Sequence, residues 1–184
     1  MAERDTRRGR APRQEEREFD QRTIDIARVT RVMAGGKRMR FRACLVIGDH
    51  KGRVGFGVGK GADVSLAINK AVAKAKKTMI TIPIVNGTIP HEIKKKYKAA
   101  RLLLKPAPKG TGVMAGGAVR SALEISGIGN VVAKVYGSKN KINNVKALFE
   151  ALVELRTSLN KRKKSPAPAM VVEAPVLKEE KVLE

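Results

Sequence analysis

The chain has 184 residues and sets 39 Lys and Arg against 17 Asp and Glu, a formal net charge of +22. Such an excess points to a polyanionic partner, nucleic acid above all, and no apolar run reaches the roughly 20 residues of a membrane span. One cysteine, Cys44, excludes an internal disulfide, and the two histidines, His50 and His91, have no Cys, His or carboxylate at metal-ligand spacing.

The charge does not sit in the ends. Residues 1–22 hold seven Arg and six acids, and the residues after Asn160 hold six bases and four acids, so both ends nearly neutralise themselves. Between Thr23 and Asn160 stand 26 basic residues and only seven acidic ones. Six aromatic residues and no Trp leave few platforms for stacking single-stranded bases. Helical, folded RNA read through its backbone and shape suits this composition better. The Arg-rich start carries both signs of charge and lacks the apolar core of a signal peptide, so a soluble chain of a reducing cytosol is expected. The apolar fraction of 42% allows a modest core in each of two small domains.

In chain order, residues 1–17 are charged, almost free of apolar side chains and expected to be disordered, as is the tail of residues 161–184. A first strand is expected over Ile24–Met33, its alternation breaking near Ala27 and Arg28, where a bulge would fit. Ala34-Gly35-Gly36-Lys37 reads as a turn. The second strand, Arg38–Gly48, alternates cleanly: Phe41, Ala43, Leu45 and Ile47 share one face, and Arg38, Arg40 and Arg42 make a guanidinium ladder on the other. Cys44, inside this strand, reads as a small core residue. In the third strand Val54, Phe56 and Val58 point one way, while Gly55, Gly57 and Gly59 leave the other face bare to something that approaches closely. A helix follows with Val64, Ala67, Ile68, Ala71, Val72 and Ala75 as its buried stripe and Lys70, Lys74 and Lys77 on an exposed face.

Met79–Val85 reads as a strand, and Asn86-Gly87 as a turn at a domain boundary. Strands at Ile89–Tyr97 and Arg101–Lys105 precede the loop "KPAPKGTGVMAGGAVR", which runs into a helix with Val119, Ala122, Leu123 and Ser126 inward and Gly127 at its end. Asn130–Tyr136 is a strand, and "GSKNKINN" caps a last helix with Val145, Leu148, Phe149, Leu152 and Leu155 buried and Lys146 paired with Glu150. The order describes two α+β domains, expected at residues 18–82 and 87–160.

The stretch "GRVGFGVGKGADVSLAINKA" stands where nucleotide-binding proteins keep a phosphate loop, but its spacing fails. Lys60 is followed by Gly61 and not by a hydroxyl, and the looser dinucleotide match at Gly57, Gly59 and Ala62 lacks an acidic residue between Asp63 and Glu92. Asp25, Asp49, Asp63 and Glu92 are scattered among basic residues, so no acid–base pair is legible, and His91-Glu92 reads as strand surface. No cofactor, metal or small-molecule substrate is expected. A second glycine loop, Lys109 to Gly117, opens a helix whose free amides, with Lys109, Gly110 and Arg120, would suit an RNA phosphate. The alternative function is a free-standing RNA-modifying or nucleotide-hydrolysing enzyme that uses these glycine loops.

"GGKRMRFRACLVIGDHKGRVGFGVGKG", followed in order by "INKAVAKAKK", "NGTIPHEI", "GTGVMAGGAVRSALEISGIGNVVAKVYGSKN" and "INNVKA", closely resembles the bacterial small-subunit ribosomal protein five family over roughly Glu18 to Leu155. The resemblance implies an amino-terminal domain similar to double-stranded-RNA-binding domains and a carboxy-terminal βα domain with a left-handed crossover. It also implies a ribosomal role: binding small-subunit rRNA, helping assembly, bordering ribosomal proteins four and eight, lining the entrance for messenger RNA and supporting decoding accuracy. The turn after Met33 would reach the RNA near the decoding region through Gly35, Gly36, Lys37 and Arg38, with Arg28, Arg31, Arg40 and Arg42 along the same strands. Lys51, Arg53, Lys60, Lys70 and Lys74 complete the expected RNA contacts of the first domain. Lys109, Gly110, Arg120, Ser138 and Lys139 are those of the second. The segment "YKAARLLL" matches the interface with protein four and makes Arg101 its candidate.

Overall fold

The computed structural model describes residues 19–155, so the expected disordered ends, residues 1–17 and 161–184, lie outside the described residues. Strands β1 (Asp20–Met33), β2 (Gly36–Gly48) and β3 (Arg53–Gly61) form an antiparallel meander, followed by helix α1 (Val64–Lys77) and a short strand β4 (Ile80–Thr81) that pairs with β3. The second sheet is built from β5 (Ile93–Tyr97), β6 (Ala100–Pro106), β7 (Val113–Met114) and β8 (Val131–Tyr136) in the order β5-β6-β8-β7. Helix α2 (Gly117–Ile125) joins the parallel pair β7 and β8, and α3 (Lys141–Glu154) closes the described chain. The fold is α+β, an amino-terminal strand sheet followed by a βα domain.

The bare glycine face of β3 is covered by α1. A Cβ on Gly59 would lie 2.2 Å from the carbonyl oxygen of Ala67, one on Gly57 2.0 Å from that of Ala71, and one on Gly55 2.4 Å from that of Ala75. The match has a simple cause: four helical residues rise about 6 Å and two strand residues about 6.7 Å, so alanines every fourth position meet glycines every second one, running antiparallel. Ala67, Ala71 and Ala75 are therefore the fully buried positions of α1, while Val64, Ile68 and Val72 are only partly buried.

The opposite face of the same strands looks into the second domain. Val46 and Val54 join Leu104, Val119, Leu123, Ile125, Leu148 and Leu152 in one core, and Phe56 meets Phe149 with ring centroids 5.6 Å apart. The expected separate core in each domain is thus replaced by one large core shared between the sheets, with a smaller one of Leu45, Ile47, Ala71 and Ala75 under α1. Backbone hydrogen bonds also link the two domains. The amides of His50 and Gly52 donate to the carbonyls of Ile125 (3.1 Å) and Ser126 (3.0 Å) at the end of α2. Gly127 has φ +84°, and a Cβ there would stand 2.1 Å from the His50 carbonyl oxygen, so glycine ends α2 for two reasons.

Several expected details differ. The register shift in β1 falls between Thr23 and Asp25 and not at Ala27 and Arg28, and it lets Ile24 pack against the shared core. The strand expected over Met79–Val85 shrinks to β4, and that over Ile89–Tyr97 to β5, because Pro83 and Pro90 bring no N–H to a ladder. His91 and Glu92 accordingly precede β5 instead of lying on it. Lys146 does not pair with Glu150 among the described residues; its ammonium stands 5.5 Å from the Tyr97 ring centroid. Asn140 caps α3 as expected, accepting from the Ile142 amide at 3.1 Å.

Gly57→Ala is expected to cost at least about 3 kcal/mol in denaturant unfolding, since helix backbone rather than a movable side chain blocks the new methyl. Gly35→Ala, with nothing within 4 Å of its Cβ position, should be nearly neutral in the same measurement.

Candidate nucleic-acid interface

The first two strands run well past the third. β3 ends where Gly61 pairs with Phe41, so the segment from Arg28 to Arg40 is a two-stranded ribbon closed by a two-residue turn, Ala34-Gly35, with Met33 opposite Gly36. Arg31 stands directly opposite Arg38, and Val29 opposite Arg40. These residues share one face, which places three guanidinium groups side by side. Like charges directly opposite each other destabilise a strand pair, and the sequence has no acidic residue between Asp25 and Asp49 to relieve them. Arg28 and Lys37 lie on the other face, opposite Phe41 and Val32. All five cations of the ribbon are exposed, and Gly35 and Gly36 leave its tip open.

Arg42 sits on the same face as Arg38 and Arg40 but is not a free rung of the ladder. It is half-buried at the ribbon's base, its guanidinium 3.7 Å from Asp25, which also accepts from Lys141 of α3 at 2.9 Å. Its Nε is buried with no hydrogen-bond partner among the described residues. Arg53 is likewise engaged: its Nε donates to Asp49 at 2.6 Å, and its guanidinium lies 5.5 Å from the Phe19 ring centroid. Burial works against the Asp49 carboxylate, but hydrogen bonds from the Arg53 side chain and from the amides of Lys51 and Arg53 outweigh it and hold its pKa down at about 2. Lys51, in the adjoining turn, and Lys60, opposite Arg42 at the end of β3, are exposed. Lys70 and Lys74 are exposed on α1, beside its buried alanine row.

The second glycine loop is organised differently from the expectation. The amides of Gly110 and Gly112 donate to Asn130 Oδ1 at 3.0 and 3.1 Å and are not free, while Lys109 is exposed beside them. Arg120 donates to Glu124 at 2.7 Å, and Arg22 of β1 binds the same carboxylate. Those two guanidinium groups, Arg120 foremost, hold the Glu124 carboxyl below its ordinary range. Ser138 accepts from the Asn140 amide at 3.1 Å and so belongs to the cap of α3, with Lys139 exposed next to it.

Strand register also assembles a basic face that the linear sequence did not announce. On the outer side of the second sheet Lys96, Arg101 and Tyr136 form one cross-strand row, and Lys94, Leu103 and Lys134 the next. Arg101, Lys96, Lys98 and Tyr136 border a shallow hollow of about 550 Å³. The signal was present in the alternation of "IKKKY" and "VVAKVY", but only pairing shows that their exposed halves are neighbours.

Arg40 and Arg42 are expected to separate in a stability measurement. Arg40→Ala should stay within about 0.5 kcal/mol of the parent chain, whereas Arg42→Ala, which leaves Asp25 with Lys141 alone, should cost about 1 kcal/mol or more in denaturant unfolding.

The family model described as Ribosomal protein S5, N-terminal domain, matches residues 19–83, and that described as Ribosomal protein S5, C-terminal domain, matches residues 95–165. Small ribosomal subunit protein uS5 of Hydrogenobaculum sp. (strain Y04AAS1) is 51% identical over 139 residues, covering 76% of this chain and 74% of that protein. Because the two matches follow the order of the two sheets and the identity runs through both, the chain belongs to the ribosomal protein S5 family.

Proposed function

We propose that the chain is a structural component of the small ribosomal subunit, in the ribosomes of the cytoplasm, that binds the folded rRNA and joins its head and body. On this reading it helps the subunit assemble, borders ribosomal proteins four and eight, lines the entrance for messenger RNA and supports decoding accuracy. The division of labour follows domain limits near Asn86-Gly87, with residues 18–82 mainly on RNA and residues 87–160 shared between RNA and protein neighbours. The observation that carries the reading is the ribbon from Arg28 to Arg40, whose opposed Arg31 and Arg38 have no acidic partner within their own strands. Phosphate is the anion that RNA supplies at the required density. The enzyme alternative loses its support, because α1 fills the first glycine row and Asn130 occupies the amides of the second.

Binding to a small-subunit rRNA transcript should weaken by about 10³- to 10⁵-fold between roughly 50 and 200 mM salt, as for ~6–10 phosphate contacts. A titration that is flat in salt would sink the RNA reading.

Arg101 tests the protein-facing part. It is exposed on the outer sheet face, between Lys96 and Tyr136 in register, so its loss leaves the core untouched. Arg101→Ala is expected to raise misreading in a reporter strain carrying only the altered protein, with subunit yield unchanged. The coupling removed is on the order of 1–3 kcal/mol at most. Normal misreading at normal yield would take Arg101 off the interface.

A further inference from the structure

The ribbon has a second face that its charge does not explain. Opposite the arginines, Thr30 and Val32 of β1 and Met39 and Phe41 of β2 lie on the side that, nearer the base of the sheet, packs under α1. Val32 is 70% exposed and Met39 49%. Cross-strand and diagonal neighbours on one face of a strand pair lie within side-chain reach, so Phe41, Met39 and Val32 form a continuous apolar line from the half-buried base to the tip. Ile26, 47% exposed and opposite Ala43, extends it toward the body.

Isolated apolar side chains on a surface need no explanation, but a line of them along a ribbon one sheet thick, with no third strand or helix over it among the described residues, does. β3 ends at the pairing of Gly61 with Phe41, so the sheet offers no partner to the residues beyond. The same line is flanked by Arg28 and Lys37 on its own face and backed by Arg31, Arg38 and Arg40, with no acidic residue among them. That charge selects the occupant: an apolar surface set in five cations fits the bases and riboses of RNA, whose phosphates the cations neutralise. Apolar side chains inserted beside bases are an established way for a protein to hold a deformed or unstacked nucleic acid.

We propose that the ribbon is a two-sided RNA contact: Arg31, Arg38 and Arg40 hold phosphates on one face, while Val32 and Met39 pack against bases or riboses on the other. The inference rests on the RNA-binding reading above and adds a component of affinity that salt does not screen. A ribbon that touches RNA on both faces stands between two RNA segments, in keeping with a joining role.

The two components separate in a salt series on the full chain with a small-subunit rRNA transcript. Val32→Ser combined with Met39→Ser should lower affinity by roughly tenfold at every salt concentration, the worth of two small apolar contacts, and leave the salt slope unchanged. Arg31→Gln combined with Arg38→Gln should make the slope shallower by about 1.5 to 2, as for two lost phosphate contacts. Val32→Ile combined with Met39→Leu, which keeps the face apolar, should bind like the parent. Thermal melts of all three confirm folding, and Met39→Gln alone serves if the serine pair melts early. Parent-like affinity of the serine pair or of Met39→Gln, on a normal parental salt line, overturns the apolar contact and leaves the RNA reading standing. Unchanged RNA affinity with loss of a ribosomal protein from assembled subunits assigns the face to protein and overturns it equally. A flat parental salt line defeats the RNA reading itself.

Discussion

The fold turns on the alternation in β3, where glycines face one way and Val54, Phe56 and Val58 the other. The glycine row brings the backbone of α1 closer than any side chain would permit, and the alanines of α1 answer it at matched spacing. With one face of the strands sealed by a helix at minimal thickness, the opposite face is free to serve as the floor of the second domain. Val46, Val54 and Phe56 enter the core that α2, α3 and the second sheet also fill. The two domains are distinct in sequence and in sheet topology, yet they share their largest apolar cluster.

Acidic side chains are few, and most of those described hold seams together. Asp25 bridges Arg42 of β2 and Lys141 of α3, Asp49 ties down the turn between β2 and β3, and Glu124 gathers Arg22 and Arg120 at the end of α2. Glu154 binds Lys95, raising the pKa of that ammonium through their hydrogen bond. At the end of α2 His50 Nδ1 stands 3.1 Å from the Glu124 carbonyl oxygen, which can only accept, so Nδ1 is the donor in this contact. Cys44, wholly buried near Asp25, Arg42 and Lys141, has its thiol pushed up to about 11, chiefly by burial, and stays an inert packing residue.

Two groups of basic residues therefore stand out. Arg22, Arg42, Arg53, Arg120 and Lys141 are committed to internal carboxylates. Arg28, Arg31, Lys37, Arg38 and Arg40 project on a ribbon beyond the body, where no acidic residue of the strands meets them. A formal charge count treats these groups alike, but the first is spent on internal carboxylates and the second is directed outward.

Much of this was legible in the sequence. The strand and helix periods, the Asn86-Gly87 turn, with Asn86 at φ 51° and Gly87 at φ 77°, and the helix-capping Asn140 are local properties, set by side-chain alternation and backbone sterics within a few residues. The basic excess of the folded part and the order of the family motifs were equally plain. Other features arise only when distant segments meet. The sequence marked Gly55, Gly57 and Gly59 as a face of close approach, but that α1 covers it is a tertiary fact. Arg38, Arg40 and Arg42 read as one ladder, and only the arrival of Asp25 and Lys141 separates Arg42 from the others. Arg120 beside a glycine loop read as a phosphate ligand; its partner Glu124 stands four residues on in the same helix, but that Arg22 joins the same carboxylate is a tertiary fact. Strand period assigns a side chain to a face; what lies against that face can come from more than a hundred positions away, as Lys141 does to Asp25, and no local pattern encodes that approach.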